Sequence, residues 1–113
     1  MKILVTQSIK SYNGEDVKDQ DGKPLTVRDA IAVALNNYTQ GETPTAEQKN
    51  KAFQISLKLY ANKEVDLTLD DRAFIKERAG KISGSLIYGR ICELLEGEDK
   101  EKESEKKEEK LVN

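Results

Sequence analysis

The residue types that most often carry enzyme chemistry are scarce in this chain of 113 residues. It contains no histidine and a single cysteine, Cys92. Without histidine the chain can form no Ser-His-Asp triad, no Cys-His dyad and no histidine-based metal site. Cys92 lies within an apolar helical pattern and has no base beside it in the sequence. We therefore interpret it as a packing residue rather than a nucleophile.

Acidic residues are abundant, but their spacing fits structural roles better than catalysis or metal binding. The segment D-Q-D-G at 19–22 has the first ligand positions of a calcium loop. An EF-hand loop continues for twelve residues to a glutamate between two helices, whereas Pro24 and a helix N-cap follow here within five residues. Asp66, Asp70 and Asp71 could form an acidic catalytic cluster. Asp70 and Asp71, however, stand in the first turn of a predicted helix, where the helix dipole favours acids in any case. We therefore predict no enzyme activity, no metal and no cofactor.

Charge is unevenly placed along the chain. Seven acids and five lysines fall in residues 98–110, which leaves 14 acids and 14 bases in residues 1–97. We predict one domain over 1–97 and a disordered Glu/Lys-rich tail over 98–113, because the tail has too few apolar residues to offset the entropy of ordering. A neutral domain lacks the basicity that non-specific phosphate binding requires, which argues against a nucleic-acid module.

The expected location is the cytoplasm. One cysteine cannot form an intramolecular disulfide, which favours a reducing compartment. The sequence has no apolar run of about 18 residues that could span a membrane. Its first ten residues, MKILVTQSIK, lack the apolar region of a secretion signal.

Residues 3–25 have the features of short β structure. Ile3, Leu4 and Val5 form a short β-prone run, and Asn13-Gly14 is a strong signal for a hairpin with a type I′ turn. A second turn is predicted at 19–22. We predict one or two small β-hairpins over 3–25.

Four amphipathic helices are predicted over about 27–40, 46–61, 69–79 and 84–96. Thr26, Thr45 and Thr68 stand at their expected N-caps, and Thr45 with Gln48 forms a capping-box pattern. Residues 65–69 read as an extended connector before the third helix. The predicted fold is thus mainly α, with about four helices, a short N-terminal β-hairpin element and a charged C-terminal tail.

The apolar arcs of the second and fourth helices are broad for a domain of this size, which has limited interior to bury them. Part of this surface is therefore expected to contact a second copy of the chain or another protein, although a well-filled core is an equal alternative. The residues predicted to make such contacts are Phe53, Leu57, Tyr60, Tyr88, Ile91 and Cys92.

A second hypothesis is a DNA-associated regulator. The third and fourth helices are joined by a short glycine-containing turn at 79–82, as in a helix-turn-helix motif. The basic residues that would contact DNA are Arg78, Lys81 and Arg90. The start of the fourth helix, however, has few polar side chains that could read bases. A third hypothesis, a small-molecule site at an oligomer interface, has no specific feature in its favour.

Several motifs together resemble small proteins encoded by bacteriophages and prophages. They are D-x-D-G-K-P-L leading into a helix within Asp19–Ile31, L-x-L-Y at Leu57–Tyr60, V-D-L-T-L-D-D-R-A-F-I-K-E-R at Val65–Arg78, and the last helix at Ile87–Leu95. The resemblance implies a viral or prophage origin, a place in the bacterial host cytosol and a non-enzymatic role as an assembly factor or as an inhibitor of a host system.

Overall fold

The computed structural model describes residues 2–97, and the predicted disordered tail lies outside this range. The elements are strand β1 (Lys2–Leu4), helices α1 (Val27–Asn36) and α2 (Ala46–Ala61), strand β2 (Glu64–Asp66), and helices α3 (Leu69–Ile82) and α4 (Ser85–Leu95). The prediction of a mainly α fold with four helices is confirmed. None of the helices among residues 2–97 is long and apolar enough to cross a membrane.

Strand β1 finds its partner far along the chain rather than in an N-terminal hairpin. It pairs antiparallel with β2, in the segment predicted to be a connector, and Ile3 lies opposite Val65. Both of these side chains are buried, and so are Val5 and Leu67 beyond the ends of the strands. The alternation of apolar and polar residues at 65–69 was thus a strand signal, and burial of one face of each strand fixed the register.

The two N-terminal turns share one geometry that differs from the predicted type I′ hairpin. In the first, Gly14 N–H donates to the Ser11 carbonyl, and Ser11 N–H donates to the Glu15 carbonyl. The same pattern links Asp19 with Gly22 and Lys23. Only glycines have positive φ among residues 2–97, so the residue before each glycine cannot adopt the type I′ conformation. Each turn is therefore a three-residue loop with glycine in the left-handed region, flanked by a single β-bridge.

Helices α2 and α4 lie within one residue of their predicted bounds, but α1 and α3 end elsewhere. Helix α1 stops at Asn36 rather than near residue 40, because the Asn36 and Asn37 side chains donate to the carbonyls of Ala32 and Val33 in its last turn. Helix α3 passes through Gly80 and ends at Ile82. Tertiary packing has here overridden the weak helix propensity of glycine.

The core is organised around α1, which packs against each of the other three helices. Its buried residues are Val27, Ala30, Ile31, Ala34 and Leu35, and their three- and four-residue spacing forms one apolar stripe. The three threonine N-caps are also confirmed, since each side chain accepts a hydrogen bond from the backbone three residues later. Helix α2 is thus fixed at its start by a capping box and along its length by packing against α1.

Candidate functional site

Helix α2 lies at the edge of the helical layer and presents three different faces. The first is formed by Ala52, Ile55 and Leu59, which are all buried against the core. Their spacing of three and four residues makes one stripe along the helix. This face anchors α2 and leaves its two flanks for other contacts.

The second face binds the start of α3 through ion pairs. The Lys58 ammonium lies 2.8 Å from the Asp71 carboxylate, and Lys51 pairs with Asp70. Although burial acts to raise the pKa of Asp71, its hydrogen bonds with Lys58 and with the backbone of Thr68 hold that pKa below the usual value. The carboxylates predicted as first-turn acids of α3 therefore link the start of this helix to α2.

The third face is apolar and open to solvent. Phe53, Leu57 and Tyr60 are 56%, 51% and 49% exposed, and we call these three residues the α2 stripe. With Ser56 and Ala61 they line a shallow hollow of about 460 Å³. Large apolar side chains scattered singly on a surface need no explanation, but here three of them lie side by side along one helix.

The edge of the hollow that faces α1 is held in one conformation. The Tyr60 hydroxyl donates to the Asp29 carboxylate, and the Arg28 guanidinium stacks on the Tyr60 ring at 5.0 Å from its centre. Burial, followed by the hydrogen bond to Asp29, raises the pKa of Tyr60 to about 12. One helical turn away, Asn36 donates to the Ser56 hydroxyl at 3.2 Å. The stripe is thus presented by a fixed scaffold, which lowers the entropy cost of binding a partner.

The predicted contact residues of α4 form no comparable surface. Ile91 is fully buried, so its assignment to a contact surface was wrong: it packs in the core together with Leu95, one turn further on. Cys92 is partly buried. Its side-chain hydrogen bond with Tyr88 raises the pKa of the tyrosine hydroxyl. Tyr88 is 39% exposed, but neither it nor Cys92 lines the hollow on α2.

The predicted DNA-contact residues are largely used inside the protein. Arg78 is buried, and it donates to Glu42 at 2.6 Å and to the Asn37 carbonyl at 2.6 Å. Its guanidinium also stacks on the Tyr38 ring, 4.7 Å from the centre. The prediction that Arg78 contacts DNA is therefore wrong: this side chain ties the α1–α2 loop to α3. Hydrogen bonds from Arg78, and then from Thr39, hold the pKa of Glu42 at about 2.

The other two basic residues also have partners within the protein. Arg90 donates to the carbonyls of Lys10 and Ser11 at 2.8 and 2.7 Å, so it fastens the first N-terminal turn to α4. Lys81 is half exposed, but it lies within 4 Å of the carboxylates of Glu42 and Glu77. The contacts of Arg90 with residues 10–11 and of Lys81 with Glu42 join distant parts of the chain, which explains why the sequence could not reveal them.

Three further hollows among residues 2–97 have volumes of about 110–150 Å³, and no metal site is found in this range. No group of three or more acidic or cysteine side chains in this range could hold an ion. An apolar hollow between Leu25, Val33 and Ile87 has about 150 Å³, below the 300–1,000 Å³ typical of ligand sites. No protein-family model, curated protein or solved structure matches the chain. Among residues 2–97, the exposed α2 stripe is therefore the strongest candidate for a binding surface.

Proposed function

We propose that this chain is a non-enzymatic protein-binding module that docks partners on the α2 stripe. The observation that carries the proposal is the contiguous, half-exposed apolar face of Phe53, Leu57 and Tyr60 on a helix whose other faces are already occupied. A role as an accessory protein of phage type, acting in assembly or as an inhibitor, belongs to this proposal. The apolar face and the motif resemblance support it.

The shape of the hollow favours a helical partner. Phe53, Ser56, Leu57 and Tyr60 stand at positions i, i+3, i+4 and i+7 of α2, and all four line the hollow. Four residues with this spacing form the hole that accepts one side chain of a facing helix in knobs-into-holes packing. A partner helix with an apolar stripe of its own would fill the hollow and cover both rings.

The apolar area is sufficient to contribute to binding without guaranteeing a tight complex. Half-exposed aromatic side chains and a half-exposed leucine offer roughly 300 Å² in total, since a fully buried aromatic residue covers about 150–250 Å². At about 25 cal/mol per Å², this area would contribute about 7 kcal/mol before the costs of association. Those costs are themselves about 4–15 kcal/mol, so the remaining affinity depends on polar contacts around the stripe.

A capture experiment with a matched control tests the proposal. The tagged chain is used to retain host-lysate proteins and a differently tagged second copy, and it is compared with Leu57→Gln and with Leu69→Gln. Leu69 is also a large exposed residue, 75% accessible, but it lies at the start of α3, away from the stripe.

We expect Leu57→Gln to lose partners that the wild type and Leu69→Gln both retain. Circular dichroism should show the same helix content for the three proteins. If Leu57→Gln retains the same proteins as the wild type, including the second copy, or if neither retains any, the α2 stripe is not a docking surface.

A further inference from the structure

We infer that the helix that packs on the α2 stripe is α2 of a second copy, in an antiparallel arrangement about a two-fold axis. This inference rests on the proposed function, since it names the partner of the same surface. Two features of the described residues carry it: the spacing of the exposed positions and the placement of charge at the two ends of the stripe. The size of the apolar area then indicates how strong the association is.

The exposed positions along α2 repeat as in a two-helix seam. Ala46, Asn50, Phe53, Leu57 and Tyr60 are all exposed, and successive members are four, three, four and three residues apart. This is the a/d spacing along which two helices pack. With an axis near residue 55, Phe53 of each copy lies opposite Leu57 of the other, and Asn50 lies opposite Tyr60. The paired region, 49–61, falls entirely within the helix.

Charge selects the antiparallel direction. Lys49 is exposed and lies two helical turns before Ser56, so it stands on the flank of α2 that faces α1. Asp29 lies on the same flank at the other end of the stripe, bonded to Tyr60. An antiparallel pair brings Lys49 of one copy towards Asp29 of the other, twice by symmetry. A parallel pair would instead place the α1-facing flanks of the two copies on opposite sides of the seam, where Lys49 of one copy does not approach Asp29 of the other.

The small apolar area of the stripe indicates a weak association. About 300 Å² of apolar side chain in each copy, with the polar residues around it, falls below the roughly 800 Å² per partner of a stable interface. About 600 Å² of apolar surface from the two copies, at about 25 cal/mol per Å² and less a mid-range cost of association, corresponds to a dissociation constant on the order of 0.1 mM, so the dimer is weak and reversible.

The first experiment measures the mass of the full chain by sedimentation equilibrium at concentrations on either side of that dissociation constant. We expect the wild type and Leu69→Gln to rise from 12.7 kDa towards twice that mass, and Leu57→Gln to stay at 12.7 kDa. A wild type that remains monomeric well above the expected dissociation constant would overturn the inference. A foreign protein retained through Leu57 in the capture experiment would then still support the proposed docking function.

The second experiment tests the direction of the pair. In a Cys92→Ser background, single cysteines are introduced by Glu47→Cys, Gln54→Cys and Ala61→Cys on the flank away from α1, and a short bis-maleimide is added. Antiparallel packing predicts that Gln54→Cys cross-links with itself, and that Glu47→Cys cross-links with Ala61→Cys in a mixture. The antiparallel dimer is contradicted if Glu47→Cys cross-links efficiently with itself. It is also contradicted if no variant cross-links at protein concentrations above the dissociation constant.

Discussion

Two leucines on α2 allow a direct test of which face of this helix is core. Leu59 is fully buried, whereas Leu57, two residues earlier, is 51% exposed on the α2 stripe. We propose to replace each of them by alanine. Both changes remove the same three carbon atoms from the same helix, so the difference between them reports burial and not helix propensity.

The expected magnitudes follow from burial. Removing three buried carbons costs about 2.4 kcal/mol at about 0.8 kcal/mol each, and the cavity left in a packed core raises the cost of Leu59→Ala to about 3–5 kcal/mol. The Leu57 side chain is only about half buried, so Leu57→Ala costs about half of this burial free energy. The substitution leaves no closed cavity, because Leu57 borders an open hollow. We expect Leu57→Ala to cost about 1 kcal/mol at most.

Urea and thermal unfolding, followed by circular dichroism at protein concentrations of about 10 μM, measure both costs. A difference of about 2–4 kcal/mol corresponds to a separation of at least about 8 °C between the midpoints of the two variants, since 1 kcal/mol shifts the midpoint of a domain of this size by about 4–8 °C. Equal losses of stability in the two variants would show that Leu57 is part of the core. That result would remove the surface on which both the proposed function and the dimer depend.

Three further predictions concern the α1–α2 loop and α3. The pKa of Glu42 is about 2 in the folded protein and 4.5 ordinarily, so the ionised carboxylate stabilises the fold above pH 4.5 and this stabilisation is lost as the pH falls through about 2. The free energy of unfolding, measured as a function of pH, should therefore decline in this window for the wild type, and Glu42→Gln should lack this decline. Arg78→Lys should speed the hydrogen exchange of the loop amides at 37–45, because a lysine ammonium cannot replace the planar guanidinium that bonds both Glu42 and the Asn37 carbonyl. Lys81→Ala removes only a weak, exposed ion pair, so it should leave the exchange of these amides unchanged. Gly80→Ala should raise the free energy of unfolding by about 0.5–1 kcal/mol in chemical denaturation, because Gly80 is helical and alanine favours the helix. The added Cβ would make only an ordinary van der Waals contact with the Tyr88 ring. A lower unfolding midpoint would show that the α3–α4 contact is tighter than the structure indicates.

Local signals in the sequence were sufficient for most helices. The three threonine caps and the three-to-four spacing after each of them predicted where α1, α2 and α3 begin, because capping and amphipathicity are both decided by neighbouring residues. The pairing of β1 with β2 was not predictable in the same way. It joins Ile3 to Val65 across more than sixty residues, and nothing in either short segment specifies the other.

Which apolar residues are core and which form a surface is decided by where each helix stands in the fold. Phe53, Leu57 and Ile91 all lie on broad apolar arcs, and the sequence offers no reason to separate them. Helix α4 directs Ile91 into the interior, where it is fully buried in the same core cluster as Leu95. Helix α2 stands at the edge, and its buried stripe and its ion-paired flank use only two of its three faces. The third face therefore remains apolar and exposed, which is why a contact surface on α2 is supported while the one predicted through Ile91 is not.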